Sequence, residues 1–323
     1  KPDRRQRQMC IRDSFGAASA IADMNGDGVM DVVKQTSLNA PQHVAVTYNN
    51  PSNEGVFNRY DIVNQAAPYF VSVDDLNGDG RLDMVVVDDN VDTYLLNQGN
   101  DGQGQATFTS FNFQNSAGFG GNSWTDDLNN DGFPDVIITD VDVDIAGCDR
   151  RTLIYRNLGN TPNVSFQEQG FPIPQEDLFG VHDMAVFDLN GDGLKEFFLL
   201  GSREDGRGRS RKDYSTMFDK NFIYDFERDE ITTFGVPTFS HDYGIHDFNG
   251  DGYKDFLDLT LTGRGFYYCD GKSLKCNWQA NEQFSNGSSF MAFDSSINGP
   301  ILAAKCGVND KSFWLCWFKP SLK

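Results

Sequence analysis

The chain has 323 residues, of which 39% are hydrophobic and 13% aromatic, and its formal net charge is −20. This length and composition are typical of a folded protein with a substantial core. No apolar run approaches the roughly 18 residues of a membrane span. The strong negative charge argues against nucleic acid and anionic membranes as partners, because both would repel the chain.

The first fourteen residues, KPDRRQRQMCIRDS, are basic and polar and differ from everything that follows. They lack the apolar segment of a signal peptide. They look like translated adaptor sequence, and an ordinary disordered tail is the alternative. We therefore expect a non-native or disordered tail over residues 1–14 and a single domain over residues 15–323.

An aspartate-rich nonapeptide recurs five times along the chain. The copies are DMNGDGVMD from Asp23, DLNGDGRLD from Asp75, DLNNDGFPD from Asp127, DLNGDGLKE from Asp188 and DFNGDGYKD from Asp247. They lie 52, 52, 61 and 59 residues apart, and a degenerate sixth copy places Asp294 another 47 residues on. These spacings predict repeats that start near residues 15, 68, 119, 179, 239 and 288.

Strand patterns surround each nonapeptide. A short apolar strand precedes each copy, and β-branched or aromatic runs such as DMVVVDD and DVIITD follow it. Two further strand patterns complete a repeat, and four strands in about 50 residues make a propeller blade. We therefore predict an all-β fold, a β-propeller of four-stranded blades with six repeats visible. The last repeat ends after its third strand, which leaves open a six-bladed ring and a seven-bladed parent with a truncated N-terminus.

The nonapeptide supplies side-chain oxygens at positions one, three, five and nine and a backbone carbonyl at position seven. Calcium takes roughly six to eight such hard oxygens in flexible geometry, and glycines such as Gly26 and Gly28 permit the tight turn. We predict about five structural Ca²⁺ ions. Their predicted ligands are Asp23, Asn25, Asp27, Val29, Asp31, Asp75, Asn77, Asp79, Arg81, Asp83, Asp127, Asn129, Asp131, Phe133, Asp135, Asp188, Asn190, Asp192, Leu194, Glu196, Asp247, Asn249, Asp251, Tyr253 and Asp255.

Two alternatives compete with this interpretation. An EF-hand loop opens with the same letters, but it requires a glutamate at position twelve and a helix on either side. Position twelve here is Lys34, Val86, Ile138, Leu199 or Asp258. A metal-free Asp-Gly turn is disfavoured because three crowded carboxylates repel one another. In the sixth copy Ser296 and Asn298 replace two ligands, so we expect no ion there.

The repeat resembles the FG-GAP and VCBS repeats of integrin α-subunit propellers and many surface proteins, from Phe15 to Phe318. The resemblance rests on the DxNxDGxxD loop, the hydrophobic strand after it, the Asn-x-Gly turns at 97–99 and 157–159, and Phe-Gly before three of the loops. It implies that each loop joins the two inner strands of a blade and holds one calcium ion. Such propellers include lectins, adhesion receptors and lyases, so the resemblance does not select the activity.

Four cysteines form two close pairs near the C-terminus, Cys269 with Cys276 and Cys306 with Cys316. Each pair flanks a turn-rich stretch, which suits a disulfide across a hairpin; buried free thiols are the alternative. Together with the glycosylation acceptors at Asn163 and Asn286, the disulfides indicate an oxidising, extracellular setting, either secreted or at the cell surface.

Two blades share a His-Asp pair six residues before the loop. These are His182-Asp183 and His241-Asp242, and a propeller would bring them side by side near its central channel. Such a pair can bind a transition metal or act as acid and base, although polar channel residues are the plainer interpretation. We name them as a candidate ligand site.

No nucleophile, phosphate loop or zinc spacing is recognisable, so we predict a binding protein with no catalytic residues. The predicted function is a calcium-stabilised extracellular or cell-surface propeller that binds a protein or a glycan as an adhesion module. The alternative is a carbohydrate-active enzyme, a polysaccharide lyase or hydrolase, with its site at the central channel. A third expectation is that the chain is one domain of a larger surface protein, itself with no transmembrane segment.

Overall fold

A computed structural model describes fourteen stretches of the chain. They are residues 19–35, 43–64, 68–88, 90–117, 120–140, 151–169, 181–201, 221–225, 230–234, 243–259, 264–280, 290–293, 301–309 and 312–318. The chain divides into two compact units, Lys1–Leu178 and Phe179–Lys323. The predicted tail at 1–14 and Asp294 of the degenerate sixth copy lie outside the described residues.

The first unit contains twelve described strands in three four-stranded sheets. Sheet 1 holds β1 (Ser19–Ala22), β2 (Asp31–Gln35), β3 (Val44–Asn49) and β4 (Phe57–Asn64). Sheet 2 holds β5 (Pro68–Asp74), β6 (Asp83–Asp88), β7 (Thr93–Asn100) and β8 (Ala106–Asn112). Sheet 3 holds β9 (Gly120–Asp126), β10 (Asp135–Asp140), β11 (Arg151–Asn157) and β12 (Phe166–Gln169).

The second unit contains eleven described strands in three further sheets. Sheet 4 holds β13 (Val181–Phe187), β14 (Glu196–Gly201), β15 (Asn221–Asp225) and β16 (Glu230–Phe234). Sheet 5 holds β17 (Tyr243–His246), β18 (Asp255–Leu259), β19 (Arg264–Asp270) and β20 (Lys275–Ala280). Sheet 6 holds β21 (Phe290–Phe293), β22 (Ile301–Asn309) and β23 (Ser312–Phe318).

Each sheet is an antiparallel meander, because strands that follow one another in sequence are also hydrogen-bonded neighbours. Each predicted repeat corresponds to one sheet, and the described residues contain no helix. The prediction of an all-β fold built from four-stranded repeats is confirmed, and these sheets are consistent with propeller blades. The closure of a ring, the number of blades and the single domain stay predictions.

Strand β6 shows why the sheets stack face to face. Its residues DMVVVD are all buried, and its apolar side chains alternate between two cores. Met84 and Val86 pack against sheet 1, whereas Val85 and Val87 pack against sheet 3. Burial of each such side chain stabilises the fold by roughly 1.5–3 kcal/mol. Because both faces of the strand are covered, its sequence is a continuous apolar run without polar alternation.

A corresponding core joins sheets 4 and 5 in the second unit. Leu189, Phe256, Tyr267 and the disulfide-bonded Cys269 contribute to it, and each is 2% exposed or less. Every described sheet that carries a nonapeptide therefore lies against an apolar layer. No helix among the described residues is long and apolar enough to cross a membrane.

Candidate metal loops

The five nonapeptides are the connections between the first and second strands of sheets 1 to 5. We call them loops 1 to 5 and number their positions one to nine; they span residues 23–31, 75–83, 127–135, 188–196 and 247–255. Each loop thus joins two neighbouring strands of one sheet, and the expectation that these are the inner strands of a blade stays a prediction.

The carboxylate at position one organises the turn. In every loop one of its oxygens accepts a hydrogen bond from the backbone N–H at position six. The pairs are Gly28 to Asp23 at 2.8 Å, Gly80 to Asp75 at 2.7 Å, and Gly132 to Asp127, Gly193 to Asp188 and Gly252 to Asp247 at 2.9 Å. The chain must curl back on itself to make this bond, so position six has a positive φ, between 85° and 95°, which glycine alone adopts without strain.

The carboxylate at position five accepts the next hydrogen bonds of the loop. Its Oδ1 accepts the backbone N–H of position seven at 2.9 to 3.1 Å in all five loops. In four loops its other oxygen accepts the side-chain amide of the position-three asparagine; in loop 4 the Asn190 amide donates to Glu196 instead, at 3.1 Å. The sequence difference at position nine of loop 4 therefore changes the internal bonding of that loop.

The acid at position nine is buried, unlike the other acids of the loop. Asp31, Asp83, Asp135 and Asp255 are 0% exposed and Glu196 is 1% exposed. One oxygen of each accepts the backbone N–H of position two, at 2.6 to 3.3 Å. In four sheets the other oxygen accepts an N–H from the third strand, donated by Asn49, Asn97, Asn157 or Cys269 at 2.7 to 2.9 Å. The acid therefore fastens its loop to the third strand.

Burial raises the pKa of each of these acids. The pKa of Asp83 rises to about 7, because its desolvation outweighs the two backbone hydrogen bonds that it accepts. Burial likewise raises the pKa of Glu196 to about 7 and that of Asp255 to about 6. The neighbouring carboxylates of each loop add to the shift. A bound cation would supply the positive charge that keeps these groups ionised.

A buried chain of hydrogen bonds connects loops 1, 2 and 3 across the sheets. The side-chain amide of Asn97 donates to the carbonyl of Met24 in loop 1 at 2.9 Å, while its backbone N–H donates to Asp83 in loop 2. Asn157 repeats the arrangement one sheet later, and its amide donates to the carbonyl of Leu76 at 2.6 Å. We call Asn97 and Asn157 the bridging asparagines.

One further bond each holds loop 1 and loop 2 on the turn of the next sheet. Asn100 donates to the carbonyl of Asn25 at 2.7 Å, and the hydroxyl of Thr161 donates to the carbonyl of Asn77 at 2.8 Å. The carbonyls at positions two and three of a loop are thus held by the following sheet. Sequence reasoning attributed to the loops only a role within one blade, and the structure shows a second role between sheets.

Position seven determines whether the space between neighbouring loops is filled. In loop 3 the ring of Phe133 lies against Gly159 of its own sheet and Gly78 of loop 2, where added Cβ atoms would meet the ring at 2.6 and 3.3 Å. In loop 2 the same position is Arg81. There Gly26 and Gly99 face open space, and a crevice of about 100 Å³ remains between sheets 1 and 2.

This crevice is lined by both polar and apolar residues. Asp23, Asn25, Arg81 and Asn100 line it together with Met24 and Leu82. The guanidinium of Arg81 contacts Asp79 and donates through Nε to the carbonyl of Asn97 at 3.0 Å. The crevice therefore presents an oriented cation, amides and a carboxylate within a small volume.

The donor set of each loop fits calcium in kind. All of its groups are oxygens, namely carboxylates, an asparagine amide and a backbone carbonyl, which hard cations prefer. In the described part of the chain no three Asp, Glu, His or Cys side chains converge on one metal position, and the loop carboxylates accept backbone N–H bonds. The calcium ligands named from the sequence stay predictions.

The remaining predicted site residues fall in different places. Cys269 and Cys276 form a disulfide across the β19–β20 hairpin, as predicted. Cys306 and Cys316 lie on the adjacent strands β22 and β23, and their pairing stays a prediction because nothing of their side chains is described. Asn163 is exposed in a turn, whereas Asn286 lies outside the described residues.

The His-Asp pairs are only partly placed. His182 and Asp183 lie on strand β13, the first strand of sheet 4, and their side chains are not among those described. His241 and Asp242 lie outside the described residues. The candidate ligand site at these four residues, and with it the enzymatic alternative, stays a prediction.

Sequence reasoning missed two sets of residues that build the loops. The first is the buried position-two residue, which belongs to the core: Met24, Leu76, Leu128, Leu189 and Phe248 are 0 to 2% exposed. The second is the pair of bridging asparagines. A signal for both exists, because position two is apolar in every copy and Asn97 and Asn157 open the repeated Asn-x-Gly turns.

Comparisons with solved structures agree with this architecture. A lectin from Agrocybe aegerita, reported to recognise non-reducing terminal N-acetylglucosamine, superimposes with a TM-score of 0.51 at 15% identity, covering 96% of this chain and 81% of the lectin. The Vibrio cholerae biofilm matrix protein Bap1 gives a TM-score of 0.44 at 12% identity, with 95% of this chain covering 53% of that protein. At 15% identity the likeness to the lectin concerns the fold alone.

Sequence comparison identifies the repeats themselves. No curated protein matches the chain significantly. The pattern of the FG-GAP-like repeat matches residues 75–138 and 127–199, which include loops 2, 3 and 4 and strands β6 to β13. The resemblance seen in the nonapeptides is thereby confirmed, and residues 75–199 of the chain match FG-GAP-like repeats.

Proposed function

We propose that this chain is a calcium-stabilised extracellular or cell-surface propeller module that binds a glycan, with one sugar subsite in the crevice between sheets 1 and 2. The observation that supports it is the crevice itself, which combines Arg81, Asn100 and Asp23 around an open volume of about 100 Å³. Sugar hydroxyls require several donors and acceptors fixed close together, and a guanidinium, an amide and a carboxylate provide them.

The size of the crevice limits what can enter. Since a water molecule takes about 30 Å³ of liquid volume, the crevice admits a substituent of a sugar, such as a hydroxyl or acetamido group, and leaves most of the ring outside. A terminal residue of a glycan suits such a shallow subsite. The similarity in fold to a lectin that recognises a terminal sugar is consistent with this assignment.

The test is a glycan array on calcium-loaded protein, with Arg81→Phe as the decisive variant. Phe133 fills the corresponding space between sheets 2 and 3, so a phenylalanine at position 81 is expected to fill the crevice and abolish binding. Arg81→Ala keeps the crevice open and removes the guanidinium with its charge and its hydrogen-bond donors, and we expect weaker binding. Lys254→Phe places the same ring at an exposed site in loop 5 and serves as the control that retains binding.

The outcomes separate the parts of the proposal. If a folded Arg81→Phe protein still binds the glycan, the sugar subsite does not lie in this crevice. Failure of the folded, calcium-loaded chain to retain any glycan overturns the glycan assignment. A protein ligand then becomes the candidate to test next.

A further inference from the structure

The residue opposite the position-nine acid differs in charge from sheet to sheet. In each sheet, one residue of the third strand lies opposite the position-nine acid, as the strand register shows when it is extended by one residue where needed. For loops 1 to 5 these residues are Tyr48, Leu96, Arg156, Asp225 and Tyr268. Arg156 is the single cation in this set. Loop 3 therefore differs from the other loops in having a cation beside its buried position-nine carboxylate.

Arg156 is held in place from two directions. Its Nη1 donates to Oδ2 of Asp135 at 2.6 Å, and its Nε donates to Oε1 of Gln169 at 2.5 Å. The side chain of Arg156 is 19% exposed and that of Asp135 is 0% exposed. The guanidinium is thus a fixed, largely buried positive charge that already occupies one oxygen of a predicted ligand.

A second arginine in the loops serves as a contrast. Arg81 contacts Asp79 in loop 2, but its side chain is 45% exposed. Water and salt screen such a pair, so it contributes little. The pair of Arg156 with Asp135 is not screened in this way, because removal of the guanidinium would leave a buried carboxylate without its charged partner.

We propose that Arg156 sets the cation affinity of loop 3 and makes it the weakest of the five sites. The inference rests on the proposed binding of calcium by the loops. A divalent ion at loop 3 must share Asp135 with the guanidinium and is repelled by it at short range. In a partly buried setting this repulsion corresponds to an affinity loss of about tenfold or more. Loop 3 then fills only at calcium concentrations at which the other loops are already occupied.

The experiment counts bound ions over a calcium series by native mass spectrometry, with isothermal titration for the affinities. In the wild-type chain we expect one ion to bind about tenfold or more weaker than the others. Arg156→Leu introduces leucine, the residue that sheet 2 has at the equivalent position, Leu96. We expect this variant to bind the weak ion as tightly as the other ions. Arg156→Gln retains a polar side chain and tests the same charge if the leucine variant does not fold.

Two further variants assign the effect to loop 3. Asp131→Asn removes a predicted ligand of that loop and is expected to abolish the weak ion alone; in this background Arg156→Leu should change nothing further. Lys34→Leu removes an equal charge from an exposed position on strand β2 and controls for the net charge of the chain. If Arg156 had only a structural role, its replacement would weaken the binding of all ions together, whereas the proposed role changes the affinity of one ion.

The results that overturn the proposal differ from those that overturn the function. If both Arg156 variants fold and leave the weakest affinity within twofold of the wild type, Arg156 does not set it. Five ions of equal affinity also overturn the ranking, while calcium binding itself stands. If the folded wild-type chain binds no calcium at all, the calcium part of the proposed function fails with it.

Discussion

The side-chain amide of Asn97 donates a hydrogen bond of 2.9 Å to the carbonyl of Met24, a residue in the loop of the preceding sheet. The backbone N–H of the same asparagine donates to the buried Asp83 of its own loop at 2.7 Å. One buried residue thus connects two loops on neighbouring sheets. Since Asn157 makes the same pair of bonds one sheet later, the loops join the sheets of the first unit as well as the strands within them.

The first prediction concerns this bridge. Asn97→Ala removes the donor of two hydrogen bonds and leaves the carbonyls of Met24 and Leu82 without it. A buried carbonyl that loses its partner costs about 1–3 kcal/mol, so we expect the free energy of unfolding to fall by about 2 kcal/mol. Urea unfolding, with a constant m-value as the check for two-state behaviour, measures the change.

Asn49 provides the matched control. It occupies the equivalent place in sheet 1, but its amide donates to Met30 of its own loop at 3.0 Å, in an exposed setting. Asn49→Ala should therefore cost less than about 1 kcal/mol, because water replaces the lost partner. Equal losses in the two variants would show that the bond between the sheets contributes nothing of its own.

The bridge also shows how far sequence reasoning reaches. The repeats, the strands and the disulfide of Cys269 follow from local patterns, because period, turn chemistry and short hairpins are properties of neighbouring residues. The partner of Asn97 lies 73 residues away at Met24, and no local pattern names it. The loop residues were visible as a motif, but the bridging asparagines and the crevice at Arg81 depend on which sheets lie side by side.

The second prediction concerns removal of calcium. If each loop holds an ion, free calcium at a hundredfold excess over the dissociation constant stabilises the fold by about 2.7 kcal/mol per site. Excess chelator should therefore lower the melting temperature substantially, and added calcium should restore it. Magnesium should restore much less, because it demands a smaller and more regular oxygen shell. Thermal unfolding followed by intrinsic fluorescence checks this, and unchanged melting in chelator would count against bound calcium.

The third prediction concerns the pH dependence of the calcium-free chain. Burial raises the pKa of Asp83 and Glu196 to about 7 and that of Asp255 to about 6, whereas in the unfolded chain these groups titrate near 4. Between about pH 4 and pH 7 the folded state then binds more protons than the unfolded state, and its stability falls as the pH rises. We expect the calcium-free protein to melt at a higher temperature at pH 5 than at pH 7.5.

Calcium should reverse this slope. Protons compete with the ion for the same carboxylates, so the calcium-saturated protein is expected to gain stability as the pH rises over the same range. Calorimetry of calcium-free and calcium-saturated samples between pH 5 and pH 7.5 measures how the stability of each changes with pH. This pH range lies above the sequence pI of about 4.4. Parallel slopes in the two states would mean that the buried acids do not bind the ion.

The fourth prediction concerns Gly159 beneath the ring of Phe133. A Cβ at Gly159 would lie 2.6 Å from the ring, and the φ of +65° is itself unfavourable for alanine. Gly159→Ala should therefore combine backbone strain of about 1–2 kcal/mol with an overpacking cost of about 1–3 kcal/mol. In a Phe133→Ala background the overpacking part should vanish and the strain remain.

Gly99→Ala isolates the strain, since Gly99 has a φ of +92° and its added Cβ meets nothing within 4 Å. Urea unfolding of these variants and the wild type compares the costs. If Gly159→Ala proved no worse than Gly99→Ala, the ring of Phe133 would not be closely packed between sheets 2 and 3.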